Sequence, residues 1–183
     1  DDPEKTLQAL SEAALDHDLI LTSGGVSVGE ADFVKPAVQA LGELQLWSLS
    51  IKPGKPFAYG YINNQSTPSK RAHFIGLPGN PVSSLVTFLM LVRPFVLSLQ
   101  GCAGLTVRPM QIRADFAWPK ADKRREFLRA KFNDKGGLDL FPNQSSGVLT
   151  SAVWGDGLVD NSPGTTISPG DMVNFLSFTE LMS

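Results

Sequence analysis

The spacing of hydrophobic residues predicts alternating helices and strands up to Gly101 and strands alone beyond it. Leu7, Leu10 and Ala14 recur at helical intervals, so we expect a helix to open the chain, with Asp1 or Asp2 as its N-cap. Short apolar or alternating runs in the same part predict strands over residues 18–22, 44–51, 56–62 and 72–77. Later alternating segments, separated by turn residues, predict a β-rich module: residues 105–116, 125–133, 137–142, 148–152, 157–159 and 172–178.

The longest apolar stretch, residues 82–99, predicts a buried helix. Asn80 is suited to cap this helix and Gly101 to end it, while Pro94 should kink it near Met90. Polar residues and proline interrupt the stretch, so we do not expect it to span a membrane.

Helix–strand alternation followed by strands alone predicts two domains, with a boundary between residues 101 and 106. We assign residues 1–104 to an α/β domain and residues 105–183 to a β domain. The first is short for a doubly wound fold, so we interpret it as a partial three-layer doubly wound domain, truncated at its N-terminus. The second is expected to be a small, all-β, barrel-like domain.

Composition narrows the classes of function. The chain has 183 residues, 42% of them hydrophobic, and a formal net charge of −2, which suits a globular protein with a substantial core. Because nucleic-acid-binding surfaces need a basic excess, we expect no nucleic-acid partner and interpret the basic run 123–131 as a solvated strand face. A single cysteine, Cys102, excludes an intrachain disulfide and fits a reducing cytoplasm. Neither His17 nor His73 is expected to be catalytic.

Three glycine-bearing loops each follow an apolar run: residues 22–32, 52–56 and 77–83. Glycine lets a backbone turn sharply and approach a ligand closely, and successive N–H groups can surround an oxyanion. Ligands of open α/β sheets bind beyond the carboxyl ends of the strands. The loops are therefore expected to form an anion-binding active site.

The side chains of these loops suggest separate roles. Glu30 and Asp32, two positions apart, could hold a hard cation such as Mg²⁺ beside a phosphorylated substrate, and Asp32 could also, or only, cap the next helix. Lys52 and Lys55 could direct two ammonium groups at one dianion, although exposed lysines after a strand are more often only solvated. The third loop leads into a helix N-terminus, which favours an anion, and Ser83 adds a hydroxyl.

Together the loops resemble the molybdopterin molybdenumtransferase family, the molybdenum insertases of cofactor biosynthesis. The resemblance rests on TSGGVSVGEAD, IKPGKPFAYG and GLPGNPVS in this order, covers residues 18–101, and continues more weakly over the β-rich tail. It implies a transferase that inserts molybdate into adenylylated molybdopterin and releases AMP, with Mg²⁺ assisting. Molybdate is a tetrahedral dianion, which suits the anion site expected from the residues themselves.

The resemblance also implies roles for individual residues. The essential aspartate falls on Asp32, which with Glu30 would bind the metal, and the molybdate-contacting lysines fall on Lys52 and Lys55. An arginine of the second domain falls on Arg124, and a serine on Ser145 or Ser146. The substrate-binding positions implied in full are Thr22, Ser23, Gly24, Gly25, Ser27, Gly29, Pro78, Gly79, Asn80, Pro81, Ser83, Arg124, Ser145 and Ser146.

The resemblance further implies a cytoplasmic homodimer, with molybdopterin adenylyltransferase as a candidate partner and no membrane association. Because further N-terminal domains of the family complete the active site across the dimer, this fragment is expected to be inactive alone. Rival interpretations are a molybdopterin adenylyltransferase or a competence-damage-type pyrophosphatase, another nucleotide- or phosphate-binding module, and a non-catalytic scaffold. The KPGKP loop and the β-rich tail favour the insertase.

Overall fold

The computed structural model describes residues 2–26, 33–67 and 69–183. The chain forms two compact units. The first comprises Asp1–Leu49 and Lys55–Asn80, and the second comprises Ser50–Gly54 and Pro81–Ser183. The second unit therefore includes a five-residue segment that lies, in sequence, between the two parts of the first unit.

The first unit is a sheet with two helices. Its elements are α1 (Pro3–Asp16), β1 (Leu19–Ser23), α2 (Val34–Leu41), β2 (Gly42–Ser48), β4 (Pro56–Asn63) and β5 (Arg71–Leu77), with β3 (Ile51–Lys52) belonging to the second unit. The strand order is β1-β5-β4-β2, in which β1 and β5 are parallel and the other pairs antiparallel. Residues of α1 and α2 share one apolar cluster with alternate residues of the strands, including Leu10, Val38, Ile62 and Phe74.

Local signals place the helices of this unit. Asp2 caps α1, because its Oδ1 accepts hydrogen bonds from the N–H groups of Glu4 and Lys5 at 3.0 and 3.2 Å. This confirms one of the two predicted caps. Helix α2 begins after Phe33, which makes no side-chain cap hydrogen bond, and the alternative cap Asp32 lies outside the described residues.

The second unit begins with a long helical segment and continues mainly as strands. Its further elements are α3 (Pro81–Thr87), a π-helical segment (Phe88–Val92), α4 (Arg93–Leu99), β6 (Met110–Arg113), β7 (Arg125–Phe132), β8 (Leu138–Leu140), α5 (Thr150–Trp154), β9 (Gly157–Asn161), β10 (Met172–Ser177) and α6 (Phe178–Met182). The strands form one sheet in the order β3-β7-β9-β10-β6, with β8 paired to β7. The α/β class with a β-rich second module is confirmed, and among the described strands the sheet is an open path.

The break in the long helix agrees with its sequence. Pro94 has no N–H to donate to the carbonyl of Met90, and the π-helical segment lies immediately before it. Gly101 adopts φ +78°, and the N–H of Cys102 donates to the Leu97 carbonyl, so the segment ends as predicted. By length and composition Pro81–Leu99 could cross a membrane, a test that core helices of soluble proteins also pass.

The helical segment packs on the second sheet. Val82, Val86 and Leu89 are buried in one cluster with Phe127 and Leu158. A second cluster includes Leu128, Ala130, Val159 and Phe175. Successive residues of a strand point to opposite faces, so β7 contributes to both clusters.

Two segments differ from the predicted strands. Residues 148–152 are predicted to form a strand, but the Ser151 hydroxyl donates to the Val148 carbonyl at 2.6 Å and the chain turns into α5. Local side-chain hydrogen bonds of this kind compete with strand formation. Within residues 105–116 only Met110–Arg113 is a named strand.

Candidate anion-binding site

The first and third glycine loops begin side by side. Strands β1 and β5 are parallel with Ser23 opposite Leu77, and the N–H of Gly24 donates to the Leu77 carbonyl at 2.9 Å. A Cβ built on Gly79 would lie 3.7 Å from the Gly24 Cα atom. The structure therefore brings residues 22–25 and 77–79 together at the carboxyl edge of the first sheet.

Backbone conformation explains the glycines of the first loop. Gly24 and Gly25 adopt φ values of +86° and +70°, a left-handed conformation that costs other residues energy. Val26 then turns inward with 2% of its surface exposed. A Cβ at Gly76 would lie 2.2 Å from the Val26 Cγ1, so glycine at position 76 makes room for this anchor.

A buried hydroxyl lies where this loop starts. The Oγ1 atom of Thr22 is shielded from solvent and has no hydrogen-bond partner among the described residues. Buried polar atoms are nearly always paired, so an unpaired one marks a position at which a ligand or water can bind. Neighbouring Ser23 is exposed.

The predicted metal ligands, Glu30 and Asp32, lie outside the described residues, as do Ser27 and Gly29. In the part of the chain that the structure describes, no group of three or more histidine, cysteine or acidic residues could hold a metal ion. The magnesium site thus stays a prediction from the sequence.

The two lysines of the middle loop differ in their surroundings. Lys52 belongs to the second unit, where its Nζ lies 3.0 Å from Glu126 Oε1 and 3.3 Å from Asp122 Oδ2. Lys55 belongs to the first unit and is exposed, while its carbonyl accepts a hydrogen bond from the Leu49 N–H at 3.0 Å. Of the two lysines predicted to act together, Lys52 is therefore held in ion pairs and Lys55 is exposed.

Glu126 organises the surroundings of Lys52. Its side chain is fully buried, and its Oε2 accepts hydrogen bonds from Trp118 Nε1 at 2.8 Å and Asn161 Nδ2 at 3.3 Å. Burial lowers the pKa of Lys52, but the hydrogen bonds from Lys52 to Glu126 and Asp122 outweigh burial, and its pKa is raised. Lys52 therefore stays cationic.

Arg124, the predicted arginine of the second domain, is held by Asp122. Its Nε and Nη2 donate to Asp122 Oδ1 and Oδ2 at 3.0 and 2.8 Å. This paired hydrogen bonding, together with Lys52, holds the pKa of the Asp122 carboxyl far below its usual range. Arg124 is thus engaged within a charge network of two cations and two carboxylates.

A different arginine lies against the predicted serine pair. Arg129 is 1% exposed, its Nη2 donates to the Ser145 carbonyl at 3.3 Å, and its Nε donates to Ser151 Oγ at 3.1 Å. Burial lowers its pKa to about 10. The expectation that the basic run forms a solvated face is therefore wrong at this position.

The same serine segment adjoins the start of the long helix. The Ser146 carbonyl accepts the N–H of Val82, the second residue of α3, at 3.0 Å. Ser83 is buried with 3% of its surface exposed, whereas Gly79, Asn80 and Pro81 are exposed. The second unit thus brings Ser146 to the residues that follow the GLPGNP motif.

Sequence reasoning missed Arg129 and Glu126 as organising residues. Both lie in β7 among residues that alternate into two apolar clusters, Arg129 on the side of Phe127 and Glu126 on the side of Leu128. A charged residue in phase with buried apolar ones is the signal that could have identified them.

Comparisons with known proteins agree with these features. Residues 1–98 match the family described as "Probable molybdopterin binding domain", and residues 111–178 match "MoeA C-terminal region (domain IV)". The chain is 50% identical over 174 residues to molybdopterin molybdenumtransferase of Haemophilus influenzae, with 90% of this chain and 41% of that protein covered. It is 36% identical over 181 residues to that of a Nostoc species, with 95% and 35% covered.

The fold has solved counterparts as well. A molybdopterin biosynthesis MoeA protein from Pyrococcus horikoshii superposes with a TM-score of 0.74 at 28% identity, covering 97% of this chain and 41% of that one. The chain spans about two fifths of the length of the Haemophilus relative, since 41% of that protein is covered. The two family matches leave residues 99–110 between them, and the domain boundary after residue 104 stays a prediction. By its sequence and its fold, this chain belongs to the molybdopterin-binding domain family and carries the MoeA C-terminal region behind that domain.

Proposed function

We propose that the chain forms part of a molybdopterin molybdenumtransferase, which inserts molybdate into adenylylated molybdopterin and releases AMP. The observation that carries this proposal is the junction of two glycine loops at the ends of β1 and β5, beside the Thr22 hydroxyl, which has no hydrogen-bond partner in the described part of the chain. The match of residues 111–178 to the MoeA C-terminal region favours this activity over an adenylyltransferase or a pyrophosphatase.

In this proposal the first unit binds the phosphate-bearing part of the substrate. Gly24 and Gly25 carry no Cβ that would obstruct a phosphate at the loop backbone, although the Gly24 N–H is itself bonded to the Leu77 carbonyl. Thr22 supplies a hydroxyl from the floor of the same loop. Because backbone N–H groups carry no net charge, binding through them does not require another charged side chain to be removed from water.

The second unit supplies groups for the oxyanion. Arg129 is 1% exposed and bonds the Ser145 carbonyl, so it supports the serine segment from the interior, while Arg124, bonded to Asp122, is the more accessible cation. Lys52 and Ser83 belong to the same unit, and Lys55 is exposed in the other. Positive groups fixed in place before binding stabilise a dianion without reorganising.

Magnesium bound by Glu30 and Asp32 would polarise the phosphate whose bond is cleaved. We further propose a homodimer, cytoplasmic location and interaction with a molybdopterin adenylyltransferase, all on the family resemblance. Light scattering of the polypeptide that carries this chain tests the dimer directly, because a dimer has twice the mass of that polypeptide.

The deciding experiment measures AMP release from adenylylated molybdopterin with and without molybdate, using the polypeptide that carries this chain. We expect release to depend on molybdate, and Lys55→Ala to raise the KM for molybdate by about tenfold, since an exposed charge contributes modestly. Lys70→Ala, which removes another exposed lysine of the first unit, is the matched control. AMP release that is the same with and without molybdate would refute the proposal.

A further inference from the structure

One side chain of the second unit adds hydrogen bonds just beyond the β7–β8 pairing, where the Phe141 N–H donates to the Arg129 carbonyl at 3.1 Å. Gln144 Oε1 accepts the backbone N–H of Arg129 at 2.9 Å, and Gln144 Nε2 donates to the backbone carbonyl of the same residue at 2.9 Å. Nε2 also donates to the Phe141 carbonyl at 2.9 Å. A single amide group thus pairs with both polar backbone groups of Arg129 and with the start of its own loop.

The orientation of this amide is set by its neighbours. Oε1 accepts the Arg129 N–H, and Nε2 donates to the Phe141 carbonyl and to the Arg129 carbonyl, which also accepts the Phe141 N–H at 3.1 Å, so only one orientation of the amide forms all three bonds. Neither a carboxylate nor an apolar side chain of the same length could do so. Glutamine is therefore a chemically specific choice at position 144.

The Gln144 amide with its three hydrogen bonds, which we call the clamp, fixes two groups on which the proposed function depends. Arg129 is held at its backbone by Gln144, and its guanidinium in turn bonds the Ser145 carbonyl at 3.3 Å. The next carbonyl, that of Ser146, accepts the Val82 N–H at 3.0 Å. A displacement of Gln144 would consequently loosen the arginine, the serine segment and its bond to α3.

We infer that Gln144 is a positioning residue, which holds Arg129 and, through it, the Ser145–Ser146 segment in the geometry that binds the oxyanion. This inference rests on the proposed function only for the identity of the ligand. The hydrogen bonds of the clamp exist whether or not that ligand is molybdate. Ser145 is exposed, and besides its own loop bonds the segment is held among the described residues by the Arg129 and Val82 hydrogen bonds, the first of which depends on the clamp.

The test compares Gln144→Met, which keeps length and volume but removes all three hydrogen bonds, with Gln111→Met. Gln111 lies on β6 and bonds Asn174, away from the loop, so it is a matched control in the same unit. Hydrogen exchange of the Val82 and Val148 amides, which bond the Ser146 and Ser145 carbonyls, is measured in each. We expect about tenfold faster exchange in Gln144→Met alone, with the amides of β9 and β10 unchanged.

The kinetic arm separates positioning from loss of folded protein. Gln144→Met should raise the KM for molybdate by about tenfold at nearly constant kcat, whereas partial unfolding would lower kcat at constant KM. Unchanged exchange at Val82 and Val148, or a loss confined to kcat, overturns the inference. If AMP release by the wild-type protein does not depend on molybdate, the proposed function is refuted instead. The exchange rates then still decide whether Gln144 holds the segment.

Discussion

At the scale of single residues, Gly24 is constrained by its backbone conformation and not by the space available to a side chain. It adopts φ +86°, and a Cβ there would meet nothing within 4 Å among the described residues. Gly24→Ala should therefore cost about 1 to 2 kcal/mol of stability through its left-handed backbone and also weaken binding of the adenylylated substrate. Urea unfolding and the KM for that substrate measure the two effects.

Gly104→Ala is the matched control for this substitution. Gly104 adopts φ +75° with equally open space, but it lies outside all three glycine loops. We expect a similar loss of stability without a change in KM. Equal KM values for both variants and the wild type would exclude the Gly24 loop from substrate binding.

His73 gives the first sheet a pH dependence. Burial, and then the charge of Arg71, lower the pKa of His73, and Asp18 only partly opposes them. A histidine with a depressed folded pKa contributes stability that is present above the unfolded value, about 6.5, and is lost as pH falls through the folded pKa. We expect wild type to lose more stability than His73→Gln between pH 7 and pH 5, measured by urea unfolding. Parallel profiles for the two proteins would contradict this expectation.

At the scale of elements, one buried carboxylate connects three strands. Glu126 in β7 bonds Lys52 in β3 and Asn161 in β9, and it also accepts from Trp118 Nε1. Glu126→Ala would remove the acceptor of Trp118 Nε1 and leave Lys52 with Asp122 and Asn161 with the Thr165 carbonyl, and it should cost about 2 to 4 kcal/mol. Glu126→Gln, which still accepts hydrogen bonds, should cost less than half as much.

Denaturant unfolding followed by fluorescence measures both losses, with Glu180→Ala as the control. Glu180 is exposed in α6 of the same unit, so its removal should change stability by less than about 0.5 kcal/mol. If Glu126→Ala were as mild as Glu180→Ala, the network would be a surface feature with no structural role.

The elements also show what local pattern can and cannot predict. Apolar runs and glycine loops identified β1, β4 and β5 because these signals are short-range. Arg129 and Gln144 are 15 positions apart, and Glu126 and Asn161 are 35 apart. Such partners meet only through the tertiary fold, which no local pattern records, so the sequence predicted the loops and missed the network behind them.

At the scale of the whole molecule, the predicted domains and the compact units group the long helical segment with different neighbours. The sequence places the helical segment before residue 104 with the α/β domain, whereas its compact unit is the one formed by Pro81–Ser183 with Ser50–Gly54. Periodicity shows that this helix has an apolar face but not which sheet receives it. The burial of Val82, Val86 and Leu89 with residues of β7 and β9 shows that the helix packs on the second sheet.

This arrangement predicts which unit the helix stabilises. Val86 is fully buried beside Phe127 and Leu158, so Val86→Ala should cost about 2 kcal/mol through lost transfer energy and a residual cavity. Val153→Ala makes the same chemical change at a position that is 83% exposed and should have almost no effect.

Tryptophans report on the two units separately during urea unfolding. Trp47 lies in the first unit, whereas Trp118 and Trp154 lie in the second, so Trp47→Phe leaves fluorescence from the second unit alone. In that background Val86→Ala should lower the unfolding midpoint, because the cavity opens beneath the second sheet. In a variant that retains only Trp47, Val86→Ala should shift the unfolding midpoint less. A larger shift at Trp47 would assign the helix to the first domain, as the boundary after residue 104 predicts.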